Sequence, residues 1–165
     1  MPPTATAARP TLRAPSTFAG RLALIAALGG LLRVLYVLLV LADNPLSGDA
    51  AGYHHAANLF ADGAGFPEPL RHMFGGVDLI VRDGAELIVA TPIGHLEPTA
   101  GHPPVWTVLL GTFSFLGAVT VLQQQVVAAL LGVPGIVLIG LLGRELRSER
   151  LGLIAASLAA GYAFI

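Results

Sequence analysis

Residues Leu22–Ala42, LALIAALGGLLRVLYVLLVLA, make an apolar run broken by a single charge, Arg33. An α-helix needs about 20 such residues to cross the hydrocarbon core of a bilayer. The rival reading is a secretory signal, since Arg9, Arg13 and Arg21 precede the run. It fits less well. The run exceeds the ~7–15 residues of a signal core, and no small-x-small cleavage site follows it. Residues 20–42 are therefore expected as an uncleaved first transmembrane helix, preceded by a Pro/Ala/Thr-rich tail, 1–19, without apolar periodicity and expected to be disordered.

Composition agrees with lipid. The chain has 165 residues, 55% hydrophobic and 12% charged, with a mean hydropathy of +0.75. Soluble domains carry roughly 25% charged residues, so half the usual surface charge is missing. Cysteine is absent, which excludes disulfides and thiolate metal sites. All nine basic residues are arginine, and the net charge of −1 argues against a nucleic-acid partner.

Two further apolar runs, 104–122 and 126–143, are separated by Gln123–Gln125 and are expected as the second and third spans. Pro134-Gly135 would bend the third, which membrane helices tolerate. After the charged RELRSER loop, Arg144–Arg150, residues 151–165 open a fourth run that ends without a polar flank, so the sequence reads as a fragment. The expected fold is mainly α and polytopic: three complete transmembrane helices plus a truncated fourth, with one large loop, 43–103.

That loop holds eight acids against two arginines. Within it, Ala50–Asp62 has helical spacing, with Tyr53, Ala56, Ala57, Phe60 and Ala61 on one face. Gly63 and Gly65 stop it, and its thin apolar stripe suits a helix lying in the membrane interface. Val77–Ala90 reads as a β-hairpin around Asp83-Gly84, a strong two-residue turn signal. Thr91–Pro104, TPIGHLEPTAGHPP, reads as irregular chain.

The chemistry centres on Ser47–Phe66, SGDAAGYHHAANLFADGAGF. Asp49 stands where the short helix would begin. One role is an N-cap; another is a general base that takes a proton from an acceptor hydroxyl at the water–lipid boundary. The two are compatible. His54, His55, His95 and His102 share the loop with Asp49 and Glu97. A His/carboxylate group could bind a divalent metal, but the spacing matches no metal motif. His55 and His95 are expected as solvated loop residues, and His102, before Pro103-Pro104, as a pocket residue. Arg33 would be costly at a helix centre, about 2.5–3.5 kcal/mol. It either reaches toward the nearest interface or faces other helices near a lipid phosphate.

The order of these features resembles the N-terminal part of bacterial glycosyltransferase family 39-like membrane proteins. These belong to the GT-C superfamily and are related to protein O-mannosyltransferases, aminoarabinose transferases and the RgtA/B/C/D-like group. The matching residues are Arg33 and Tyr36 in the first helix; Gly48, Asp49, Ala50, Tyr53, His54, Ala57, Asn58, Leu59, Gly63, Gly65 and Phe66 after it; and Pro98, Thr99, Ala100, His102, Pro103, Pro104 and Trp106 before the second. Phe60 before Ala61 departs from the pattern, and the hairpin resembles a variable insertion.

The resemblance implies inverting transfer of a sugar from a polyprenyl-phosphate donor to an acceptor hydroxyl at the outer membrane face. Asp49 would be the catalytic base. Arg33, Tyr53, His54, His102 and Arg144 would bind substrate, with an arginine stabilising the departing phosphate. No cofactor is required, although some relatives in the superfamily use a divalent metal. The family topology would place the chain as a multi-pass protein of the cell membrane, with its N-terminus cytoplasmic, the 43–103 loop extracytoplasmic and Arg144–Arg150 outside. The basic residues alone leave orientation tied, because Arg9, Arg13 and Arg21 would face one side and Arg144, Arg147 and Arg150 the other. Two other classes compete. A multi-span transporter would use Arg33 along a pathway and would show inverted repeats; a noncatalytic membrane protein would use the loop only to bind a partner.

Overall fold

The computed structural model describes residues 17–82, 84–99, 101 and 103–162. Its elements, in order, are α1 (Phe18–Tyr36), a π-helical turn (Val37–Leu41), α2 (Asp49–Ala61), α3 (Pro69–Phe74), β1 (Gly76–Arg82), β2 (Ala85–Thr91), α4 (Pro104–Phe115), α5 (Val121–Leu131), α6 (Val133–Leu146) and α7 (Glu149–Gly161). The fold is mainly helical, with one two-stranded sheet. It divides into two units, residues up to Leu32 with those from Gly132 onward, and Arg33–Leu131.

In the first unit, the start of α1 packs with α6 and α7 around Phe18, Leu22, Ala26, Ile136, Ala156 and Ala160. Small residues set the spacing. A methyl group at Gly29 would come 2.7 Å from Ile136 Cδ1, and one at Gly143 would come 2.9 Å from the Gly152 backbone. The α6–α7 turn is fixed by Ser148, whose hydroxyl accepts from the Leu151 N–H at 3.3 Å, a serine N-cap. The last turn of α6 carries Arg144, with its guanidinium 5.1 Å from the centre of the Phe18 ring, a cation–π contact.

In the second unit, α2 packs on α4, and α5 packs on the π-helical turn. The sheet is an antiparallel hairpin with Gly76 opposite Thr91 and Arg82 opposite Ala85. It lies where the sequence reading put it, one residue longer at each end. Gly84 holds φ +80°, which the tight turn requires; Asp83 lies outside the described residues.

Two helices are long and apolar enough to cross a membrane: Phe18–Leu41, 24 residues, and Val121–Leu146, 26 residues. Only 22% and 17% of their apolar windows are buried. Three complete spans were expected, and the difference lies between residues 104 and 126. Instead of running to 122, α4 stops at Phe115. The turn that ends it bonds Leu116, Gly117 and Ala118 back to Thr112–Ser114, with Gly117 at φ +103°. At 12 residues α4 rises about 18 Å, well short of the ~30 Å core. Gln123–Gln125, expected as the separator, lie inside α5. Pro134 falls in the first turn of α6, where its missing N–H leaves no helical hydrogen bond unmade.

Candidate functional site

The site is built on α2. Gly48, at φ +55°, turns the chain into the helix, and Asp49 is its first residue. Asp49 was expected to be the N-cap, but Gly48 occupies that position, with no side-chain cap bond. The Asp49 carboxylate still stands in the first turn, where the helix dipole favours a negative charge. Asp49 is exposed and Tyr53 half-buried.

Small residues bring α2 against α4. Gly52, Ala56, Ala57 and Leu59 are buried on one helix, and Thr107, Leu110, Gly111 and Ser114 on the other. A methyl group at Gly111 would come 2.6 Å from the Phe60 ring and 3.1 Å from the Ala57 carbonyl oxygen. The stripe read as membrane-interfacial thus has a protein partner.

A polar chain crosses this contact. The Asn58 side-chain amide donates to the Val119 carbonyl at 3.1 Å, which leaves Asn58 Oδ1 to accept from Gln124 Nε2 at 3.0 Å. The same Nε2 donates to Ser114 Oγ at 2.7 Å. Gln124 Oε1 must therefore accept, and it faces His54 Nδ1 at 2.9 Å. These bonds assign the proton of a neutral His54 to Nδ1 and leave Nε2 as the acceptor nitrogen. Gln124 is 4% exposed, and the network meets its hydrogen-bonding needs without water.

Beyond α2 the chain doubles back. Phe66 packs on Phe60, ring centres 5.2 Å apart. The Thr99 N–H donates to the Phe66 carbonyl at 2.9 Å, the Glu68 N–H donates to the Glu97 carbonyl at 2.7 Å, and Pro67 pairs with Pro98. Ala56, Phe66, Thr99, Pro104 and Thr107 are among the residues lining a cavity of about 290 Å³ here.

A second polar cluster binds α3 to its surroundings. Arg71 pairs with Asp78 of β1 and with Glu97 at 3.1 Å. The hydrogen bonds from Arg71 hold the Asp78 carboxyl below the usual carboxylate range. His55 Nε2 lies 2.9 Å from His72 Nδ1. Burial, then the neighbouring His72 and His54, lower the His55 pKa from its ordinary 6.5. His55 was expected to be solvated; it is half-buried and hydrogen-bonded, whereas His95 is exposed.

The remaining expected site residues are distributed as follows. Arg33 is half-buried in the last turn of α1 and belongs to the second unit, as Asp49, Tyr53 and His54 do. Arg144 belongs to the first unit, where it also pairs with Glu145 at 2.8 Å. His102 lies outside the described residues. Among the described residues, no three His, Asp or Glu side chains converge as metal ligands. Sequence reading missed Gln124, Ser114, Arg71 and His72. The available signals were a glutamine within an apolar helix and a basic pair in the short PLRHMF segment.

Comparison with protein-family models, with curated proteins and with solved structures finds no match to this chain.

Proposed function

We propose that this chain serves inverting, GT-C-type glycosyl transfer from a polyprenyl-phosphate-linked sugar. One observation carries the reading. Two of the three stretches on which the resemblance rests, Gly48–Phe66 and Pro98–Trp106, meet: the Thr99 N–H donates to the Phe66 carbonyl, and Pro98 pairs with Pro67 just after Phe66. A pattern arising by chance has no reason to converge on one surface.

In this reading Asp49, close after the span Phe18–Leu41, takes the proton of the acceptor hydroxyl. The acceptor oxygen attacks the anomeric carbon from the face opposite the phosphate. The carbon–oxygen bond to phosphate breaks, and the phosphate leaves with the electron pair. His54, with Nδ1 held by Gln124, offers Nε2 as an acceptor to a sugar hydroxyl. Arg33 is the candidate cation for the leaving phosphate.

The span count also revises the orientation argument. If Phe18–Leu41 and Val121–Leu146 both cross, residues 43–120 face one side and Arg147–Arg150 return to the side of the N-terminus. Arg9, Arg13, Arg21, Arg144, Arg147 and Arg150 then share a side, against Arg71 and Arg82 on the other. The tie disappears, and the basic-residue rule favours a cytoplasmic N-terminus. The 144–150 arginines no longer suit a donor phosphate at the outer face.

The reading is tested in membranes from cells expressing the whole gene, supplied with radiolabelled polyprenyl-phosphate hexoses and pentoses. Release of free polyprenyl phosphate above the level in membranes from a deletion strain supports it. No turnover of any donor counts against it.

A further inference from the structure

Within the first unit, the start of α1 and α7 border an open groove of about 900 Å³. That volume lies within the ~300–1,000 Å³ range of small-molecule sites. Its walls change character along α7. Ser148, Glu149 and Arg150 stand at the helix start, joined by Phe18 and Arg21 of α1; Leu153, Ile154, Ser157 and Leu158 follow along the helix, with the Ser157 hydroxyl turned back to the Leu153 carbonyl at 2.8 Å. From Glu149 to Leu158 the rise is about 13 Å. The polar end thus gives way to an apolar trough over the length of a lipid headgroup and the first part of its chain.

We propose that this groove binds one anionic phospholipid, with its phosphate between Arg21 and Arg150 and an acyl chain along Leu153, Ile154 and Leu158. Three observations select that occupant. The charged rim carries two arginines against one glutamate, Glu149, so the field favours an anion. The apolar wall has no use for a soluble phosphate: Ile154 is 49% and Leu158 72% exposed, surface that an acyl chain would cover. Lastly, the groove opens between helices of which one, Phe18–Leu41, has the length and hydropathy of a membrane span. The inference rests on that span crossing a bilayer and not on the transfer chemistry, so failure of a glycosyltransferase assay leaves it standing.

The test uses the whole protein purified in zwitterionic detergent and measures retention of fluorescent phosphatidylglycerol against phosphatidylcholine. The unaltered protein should prefer phosphatidylglycerol, and millimolar inorganic phosphate should not displace it. Arg21→Gln and Arg150→Gln should each weaken retention about fivefold, as one interfacial arginine contributes. Arg147→Gln, outside the groove lining, should leave it unchanged, and Glu149→Gln should tighten it. Equal retention of the two lipids would overturn the proposal. So would displacement by inorganic phosphate, or a loss in Arg147→Gln as large as in Arg21→Gln. If the arginine variants fold poorly, lipid preference and phosphate competition on the unaltered protein decide the matter.

Discussion

His54 Nδ1 stands 2.9 Å from Gln124 Oε1, joining residues 70 positions apart in the chain. Gln124 also donates to Asn58 and Ser114, so one buried amide ties together α2, α4 and α5. Gln124→Leu would leave these groups without their partner in a water-poor contact. A loss of about 1–3 kcal/mol is expected, read by denaturant titration in detergent. His54→Ala should cost less, because Gln124 keeps its other two bonds.

Gly111→Val should force α4 away from α2, since even a methyl group there would overlap the Phe60 ring. Overpacking of this kind costs typically 1–3 kcal/mol, so a loss of about 2 kcal/mol is expected. Adding Phe60→Ala to Gly111→Val should recover part of that loss. A double variant no more stable than the single would show that the crowding lies elsewhere.

The His55–His72 contact predicts a pH dependence of definite sign. With the folded pKa of His55 lowered below 6.5, the unfolded chain binds more protons in the interval between the two values. Stability should therefore be flat above about pH 6.5 and fall as pH drops below it. Denaturant midpoints measured from neutral pH down to about pH 5 check this. The slope should flatten in His55→Phe.

How much of this was legible in the sequence depended on whether a residue answers to its neighbours or to distant chain. Leu22–Ala42 and the Val77–Ala90 hairpin are governed by local rules of length, alternation and turn chemistry, and a long helix and a two-stranded hairpin form over these stretches. The second run differs from its expected length because hydropathy sees residues 105–122 as continuous, whereas α4 ends at Phe115 and Gly117 turns the chain. Gln123–Gln125 looked like a polar gap for the same reason. What turns Gln124 inward is its bonding to His54, Asn58 and Ser114, partners that a glutamine in an apolar helix does not name. Of the candidate site, α2 and its leading acid were legible; the Arg71–Asp78–Glu97 cluster and the role of His72 depend on tertiary contacts.

Arg71 should act as a clamp on the hairpin, since it grips Asp78 in β1 and Glu97 beyond β2. In Arg71→Gln, chymotrypsin should cut faster at Leu79 and Leu87, with little change at sites in α6 and α7. High salt should speed cleavage in the unaltered protein and have less effect in the variant, because the clamp is partly exposed and screened. Equal cleavage rates in both proteins would count against the clamp.

The account predicts that Asp49→Asn, in the whole protein inserted normally in the membrane, lowers sugar transfer from a polyprenyl-phosphate donor by at least about 100-fold, the smaller end of what a general base contributes. Donor binding should be retained, and Asp62→Asn, at the other end of α2, should transfer normally. An Asp49→Asn protein that transfers sugar at close to the unaltered rate would contradict the assignment of Asp49 as the base, and with it the central claim about this membrane-boundary helix.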